Sequence, residues 1–484
     1  MELVAVVLLS LIILVVAIGI ILLLSLFFRQ TSQIKLLLDN QENIINDHKQ
    51  NLGEFKSKHL PRTDSQPLLR SIVPSNFKNL IKFVVLTGGP CAGKTTALTY
   101  ISEKCQEKGI KTFIVPEAAT LLCKGGFSLD NSSKKPNQVL KFQINLMKVQ
   151  MSLEDIFLEI ANMETGPILI LCDRGAMDGK AYMNKDEWQA LLDETGWSTV
   201  QLRDKRYDAV IHMVTSADGA EKFYNLNNIA RSEALDTAIQ VDKRTSACWM
   251  AHPSFHYIDN NVNSFKEKID KTFECVLRQF GIPHSTQFFK KYLLERPFNT
   301  DILKIPESYK HETIEIEDSF IQPASENILM EKVRRRGQKD SFTYQYLLKY
   351  TEKGQIIECR KAITAREYMN HCDIRNLRKG KPKMLKIRQC FMWEKTYFKI
   401  DTYSSLNFKP SILIVEVEPT ATTPVIPTFM TILREITDEP HYTLDKMLDP
   451  NWDVEEKDKI YVEQKKRLGS EAAAKEAKDK PKMD

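Results

Sequence analysis

The nine cysteines include no C-x-x-C pair, and an odd count without framework spacing excludes a secreted disulfide scaffold in favour of a reducing compartment. A strong charge of one sign is also missing. The net charge is +5 over 484 residues, so non-specific nucleic-acid binding is excluded as a default and no nucleic-acid partner is expected. Core-forming residues are not scarce: 43% of the chain is apolar, enough to fold without cross-links, and the length suits two or three domains.

What is present centres on residues 83–96, Phe-Val-Val-Leu-Thr-Gly-Gly-Pro-Cys-Ala-Gly-Lys-Thr-Thr. An apolar strand pattern ends at Gly88, Gly93-Lys94-Thr95 follow, and a helical pattern begins at Ala97 and Leu98. This is G-x-x-x-x-G-K-T in the strand–loop–helix context of a phosphate-binding P-loop. Gly88, Gly89, Pro90, Cys91, Ala92, Gly93, Lys94, Thr95 and Thr96 are therefore expected to hold a nucleotide. The glycines let backbone N–H groups point inward, the helix N-terminus adds partial positive charge and Lys94 a full one, while the Thr95 hydroxyl suits Mg²⁺. The guanine-reading Asn-Lys-x-Asp motif is absent, so the residues leave GTP and ATP both open.

Taken in order, residues 3–28 carry no charge and exceed the ~30 Å hydrocarbon core at ~1.5 Å per residue. A cleaved signal peptide would need a basic n-region, a shorter apolar core and a small-residue cleavage site. Met1-Glu2 precede the run and Arg29 and Lys35 follow it. The expectation is a single-pass membrane anchor over 1–29 with the folded domains in the cytosol. Residues 30–80 read as a juxtamembrane helix and Pro-containing linker.

Residues 81–290 alternate apolar strands (83–87, 111–115, 167–172, 208–214) with helices, the longest at 138–163. This predicts an α/β domain with a parallel sheet covered on both faces. Asp173 ends the third strand, where a P-loop protein places its second Mg²⁺ contact, and Arg174 follows it. Glu117 lies at another strand's C-terminal end, where ligands collect in open α/β sheets, or is a helix-starting Glu favoured by the dipole. Arg231, in Asn228-Ile-Ala-Arg-Ser-Glu233, is the candidate lid arginine, with an i, i+3, i+4 ion-paired helix face as the alternative; Asp236, Asp242 and Arg244 lie downstream. His252 and Ile258-Asp-Asn260 could line a base pocket or form turns.

Residues 300–448 show period-two alternation, predicting an antiparallel sheet or barrel in an α+β domain. Charges recur at i and i+2 in Glu315/Glu317, Arg334/Arg336, Lys386/Arg388 and Glu416/Glu418. Either these faces meet solvent, or a closed barrel turns them inward. In the second case Glu315, Glu317, Glu416 and Glu418 would hold metal, and Arg334, Arg336, Lys386 and Arg388 would hold phosphates. Residues 449–484 are charged and alanine-rich, the composition of a disordered tail.

The motifs of 83–260 resemble the AAA-type P-loop domain related to small kinases. Residues 312–420 look like a CYTH, or triphosphate-tunnel, domain, whose signature is Glu-x-Glu-x-Lys. Here Glu315-Ile-Glu317-Asp-Ser319 carries serine in place of the lysine, a departure that bears on triphosphate hydrolysis more than on anion binding. The order of the two domains resembles the TRPL translocation defect family. That resemblance implies binding of GTP and phosphatidylinositol 3-phosphate and a role in vesicular transport of membrane proteins. The expectation is thus a membrane-anchored, nucleotide-binding regulator with a phosphoinositide or other polyphosphate ligand and trafficking partners. A small-molecule kinase and a metal-dependent triphosphatase are the alternatives.

Overall fold

A computed structural model of the chain describes residues 80–127, 138–223, 235–282, 288–295, 302–352, 354–373, 376–379, 383–406, 409–417 and 424–459. The apolar run 3–28, Arg231 and Glu418 lie outside them. Among the described residues no helix is long and apolar enough to cross a membrane.

The first half alternates strands and helices: β1 (Ile81–Gly88), α1 (Lys94–Glu107), β2 (Lys111–Val115), α2 (Ala118–Lys124), α3 (Gln138–Asn162), β3 (Ile168–Asp173), α4 (Lys185–Thr195), β4 (Ala209–Met213), α5 (Leu235–Trp249), β5 (Phe255–Ile258) and α6 (Phe265–Gln279). The strands form a five-stranded parallel sheet in the order β2-β3-β1-β4-β5. Successive residues of a strand point to opposite faces, which explains the unbroken apolar runs. Phe83 and Val85 pack into one core with Ile170 and Trp249, while Val84 and Leu86 pack into the other with Leu171 and Ile101. β1 lies centrally, so the loop after Gly88 opens between β3 and β4.

The second half is a nine-stranded antiparallel sheet. It comprises β6 (Phe288–Leu294), β7 (His311–Phe320), β8 (Ile328–Gln338), β9 (Ser341–Glu352), β10 (Gln355–Ile363), β11 (Met384–Trp393), β12 (Thr396–Thr402), β13 (Ser411–Val417) and β14 (Ile432–Glu435), in the order β10-β9-β8-β7-β11-β12-β13-β6-β14. The helices α7 (Ala365–His371) and α8 (Leu444–Met447) accompany it. β6 pairs with β13 and β14, so this sheet begins upstream of residue 300. Residues 449–459, tail-like in composition, pack in: Trp452 and Val454 are buried beside Tyr442, and Asp458 binds Arg434.

The register separates the charged pairs, which corrects the second of the two readings, a single lumen taking the acidic and basic pairs together. Ile316 stands opposite both Arg336 and Lys386, Ile314 opposite Arg388, and Asp318 opposite Arg334. Arg334, Arg336, Lys386 and Arg388 therefore share a face with Ile314, Ile316 and Asp318. Glu315 and Glu317, one residue out of phase, point to the other side with Arg335 and Ile387. The β12 and β13 pairings put Glu416 on the cationic face, so the acids expected to share a metal are on opposite sides. Pleat parity is the reason: the charged period-two runs begin one residue out of step between β7 and its neighbours.

Candidate nucleotide site and a second charged face

β1 and β4 approach so closely at Gly88 that a Cβ there would lie 2.0 Å from the Met213 carbonyl oxygen, and φ is 141°. Gly93, with φ of 91°, starts α1 as its N-cap and supplies no side-chain acceptor. The first-turn N–H groups of the helix therefore face the loop, the arrangement that receives a phosphate. Thr95 and Thr96 are exposed there. Lys94 Nζ donates to the carbonyls of Gly88 (3.1 Å) and Gly89 (3.0 Å) across the loop. Burial, reinforced by Arg174, lowers the ammonium pKa to about 8.

Asp173 pairs in register with Leu86 of β1, and its buried Oδ1 has no hydrogen-bond partner among the described protein groups. Burial raises its pKa, opposed by Lys94. Arg174 turns back with φ of 69° and gathers Glu117 (Nε to Oε1, 2.7 Å), the Gly88 carbonyl (3.3 Å) and Asp178 (3.4 Å). Burial alone would raise the Glu117 pKa, but Arg174 and the Thr120 hydroxyl outweigh it and hold the carboxyl low. Three expected residues, Glu117, Asp173 and Arg174, thus converge on the loop. A small cleft beside them is lined by Glu117, Gln150, Arg174, Asp178 and Gly179.

Two further acids frame the loop. Asp178 accepts from the Thr87 hydroxyl (2.8 Å) and from Trp249 Nε1 (2.6 Å). Its i+4 spacing from Arg174 is the only local signal for it. Asp242 Oδ1 accepts from Gly89 N (2.7 Å) and Thr215 N (3.1 Å), while its Oδ2 meets His212 Nε2 (3.1 Å). A Cβ on Gly89 would lie 2.7 Å from that carboxylate oxygen. No local spacing ties residue 242 to residue 89; only the fold does. Asn260 spans the carbonyls of Thr215 and Asp218, a structural role in the loop after β4. His252 is enclosed, near Tyr207 O and Ser254 N, and burial drops its pKa to about 4.

On the second sheet, most of the cationic face is already neutralised. Lys332 (2.9 Å) and Arg334 (2.6 and 2.8 Å) bind Asp318, and Lys386 (2.6 Å) and Arg388 (2.6 and 2.8 Å) bind Asp401. Burial pushes both carboxyl pKa values up, but the adjoining cations reverse this and hold them far below the usual range. Arg336 and Arg360 are different. Arg336 is 3% exposed, its nearest carboxylate oxygen is 4.0 Å away on Asp204, and Nε and Nη1 have no partner among the described protein groups. Arg360 Nε likewise has none. Burial lowers both guanidinium pKa values to about 10. Asp401 is a position that the resemblance to a CYTH domain fills, whereas Asp318, Lys332 and Arg360 were not singled out from sequence.

On the other side, Glu315 is exposed, and Glu317 is engaged by Tyr368 (3.0 Å), Lys383 (2.8 Å) and Arg335 (3.1 Å). Glu416 is exposed. Among the described residues no group of three or more His, Cys, Asp or Glu side chains could hold a metal ion.

Residues 83–268 match the family model of an AAA domain. Together with the loop geometry, that match points to nucleotide binding. No curated protein matches the chain. Two crystal structures of one protein, described as a hypothetical protein and as an inorganic triphosphatase, align with 34% of this chain and 97% of theirs. The identities are 16% and 15%, and the TM-scores 0.25 and 0.24.

Proposed function

We propose that this protein is a membrane-anchored regulator that binds a nucleoside triphosphate with Mg²⁺ on residues 88–96 and a second phosphorylated anion on the cationic face of the nine-stranded sheet. The observation that carries the first part is the loop itself: a helix N-terminus without a side-chain cap, with Lys94 across it and the unpartnered Asp173 oxygen beside it. The donor set fits Mg²⁺, which takes one or two protein oxygens and completes its shell with phosphates and water. Thr95 and Asp173 would hold the ion, whose charge would draw the β- and γ-phosphates together. Glu117 and Arg174 orient groups at the loop mouth, and Arg231 belongs to the same proposal as a closing cation. GTP and ATP are equally compatible with these residues.

Arg336, buried without a carboxylate partner, and Arg360, partly buried with an enclosed and unpartnered Nε, support the second part, since cations removed from water without a counter-charge favour an anion. A phosphoinositide headgroup is the ligand class that accords with the apolar segment 3–28 and with a role in membrane-protein trafficking. Hydrolysis of triphosphate on this sheet by a Glu315/Glu317 metal pair does not fit, because those side chains face away from the cations.

The test is calorimetry on detergent-solubilised full-length protein with MgATP, MgGTP, inorganic tripolyphosphate and soluble inositol phosphates. Lys94→Ala is expected to weaken nucleotide binding about 100-fold, the scale of losing a buried charge contact. It should leave inositol phosphate binding in place. Unchanged nucleotide affinity would reject the proposal. The cleft lined by Glu117, Arg174 and Asp178 favours a kinase as the second reading. Acceptor-dependent nucleotide turnover would establish it, and slow hydrolysis alone across a metabolite panel would remove it.

A further inference from the structure

One helix and the turn that follows it touch both candidate sites. α5 is 15 residues, about 22 Å at ~1.5 Å per residue. Midway along it, Asp242 holds Gly89 N of the phosphate loop. At its end Trp249 donates to Asp178, which also holds Thr87 and Arg174. The chain then turns through Ala251, fully enclosed and left-handed with φ of 68°. Both of its backbone groups reach the second sheet: N–H donates to the Tyr397 hydroxyl (3.0 Å) and C=O accepts from Arg336 Nη2 (2.5 Å). A second clamp lies alongside. Arg203 donates to the Met250 carbonyl (3.0 Å), binds its buried neighbour Asp204 (2.7 Å) and lies 3.5 Å from Glu312 of β7.

We propose that nucleotide binding at residues 88–96 and anion binding on the cationic face are coupled through α5 and the Met250–Ala251 turn, each ligand tightening the other. This rests on the two-site function proposed above. Arg336 is the shared group: one nitrogen grips Ala251, while Nε and Nη1 are unpartnered and buried. An anion taken by those two N–H groups immobilises the guanidinium and with it the Ala251 carbonyl. Alanine persists in left-handed backbone only where its surroundings over-determine it. Fixing that turn fixes the end of α5, hence Trp249 on Asp178 and Asp242 on Gly89. Ordering accomplished by the first ligand need not be repeated for the second, which gives positive coupling. Direct repulsion between the two anions acts the other way, but a solvent-exposed path is screened within about 8 Å at physiological salt.

The experiment is a binding cycle on full-length protein in detergent. The dissociation constant of a fluorescent Mg-nucleotide is measured with and without a saturating soluble inositol phosphate, and that of the inositol phosphate with and without nucleotide. Linkage requires the same factor in both directions, expected to be about fivefold or more. Tyr397→Phe removes the acceptor for Ala251 N–H, and Trp249→Phe removes the donor to Asp178. Each should bring the factor close to one while changing single-ligand affinities by less than about threefold. If both ligands bind wild type but the constants do not move, coupling is wrong and the two-site function stands. If coupling survives both substitutions, the route through α5 is wrong. If the inositol phosphate does not bind wild type at all, the two-site function fails and takes this inference with it. The wild-type cycle needs no variant, so a substitution that misfolds leaves the first comparison decisive.

Discussion

The phosphate loop and the cationic face gather positive charge by opposite means. The loop uses contiguous backbone, with Gly88 and Gly93 permitting the curl and Lys94 completing it, all within nine residues. The face uses side chains from β7, β8, β10, β11 and β12, brought together by register across residues 318–401. A backbone site requires no counter-charge when folded, since its donors are partial charges already fixed by the helix. A side-chain site must solve the burial of full charges, and here two carboxylates do so. Asp318 and Asp401 each hold an Arg and a Lys, whereas Arg336 and Arg360 have guanidinium nitrogens without a partner among the described protein groups. Cationic residues on this face therefore fall into two kinds, structural and available.

The largest effect that distinguishes these kinds is on stability. Asp401→Asn leaves the buried Lys386 and the partly buried Arg388 without their carboxylate. Breaking such a pair from one side costs about 3–5 kcal/mol, to be read as a lower denaturant midpoint with an unchanged slope. Arg336→Met, by contrast, removes a buried cation with no close carboxylate and should destabilise less, despite losing its bond to Ala251. If Arg336→Met proves the more damaging, the division between structural and available cations is wrong.

The parallel sheet was legible because its signals are local. The expected strand 111–115 coincides with β2, 83–87 and 167–172 differ from β1 and β3 by one or two residues at their ends, and the P-loop lies where strand meets helix. β5 was not legible: Phe255–Ile258 is short and resembles a turn. Period-two alternation identified the second sheet as antiparallel, but it cannot reveal which face of one strand joins which face of the next. Glu315/Glu317 and Arg334/Arg336 have identical spacing and opposite destinations. Asp242 and Trp249 were illegible for a related reason, since their partners Gly89 and Asp178 are 153 and 71 residues away.

A smaller effect separates the two regions by pH. His252, at the turn joining them, has a folded pKa of about 4, set first by burial, against about 6.5 when unfolded. Between those values only the unfolded chain takes the proton, so stability rises with pH across the window and is lost as pH falls from about 6.5 towards 4. The full amount is about 3 kcal/mol. His256 is lowered in the same direction, so His252→Gln should flatten the pH dependence of the denaturant midpoint without abolishing it. Asp318 and Asp401, being depressed, lose their contribution only below the ordinary carboxylate range, outside this window. An equally steep profile in His252→Gln would show that the imidazole is not held neutral at the junction.

The smallest expected effect is the most direct check on strand register. Glu315 points away from Arg334, Arg336, Lys386 and Arg388 and is exposed. Glu315→Gln removes one charge from a solvated face, where substitutions shift stability by less than about 0.5 kcal/mol. Tripolyphosphate affinity measured by calorimetry should change by less than about twofold, because 0.4 kcal/mol is the scale of a screened surface charge. Were Glu315 instead on the cationic side, removing its negative charge would strengthen anion binding severalfold, or abolish it if the carboxylate held an intervening metal. Either outcome would require a one-residue slip of β7, which would also bring Ile314 and Ile316 out of contact with Ala251 and Cys390. A null result at Glu315 is therefore informative about the sheet, since it separates two registers that the sequence alone leaves equivalent.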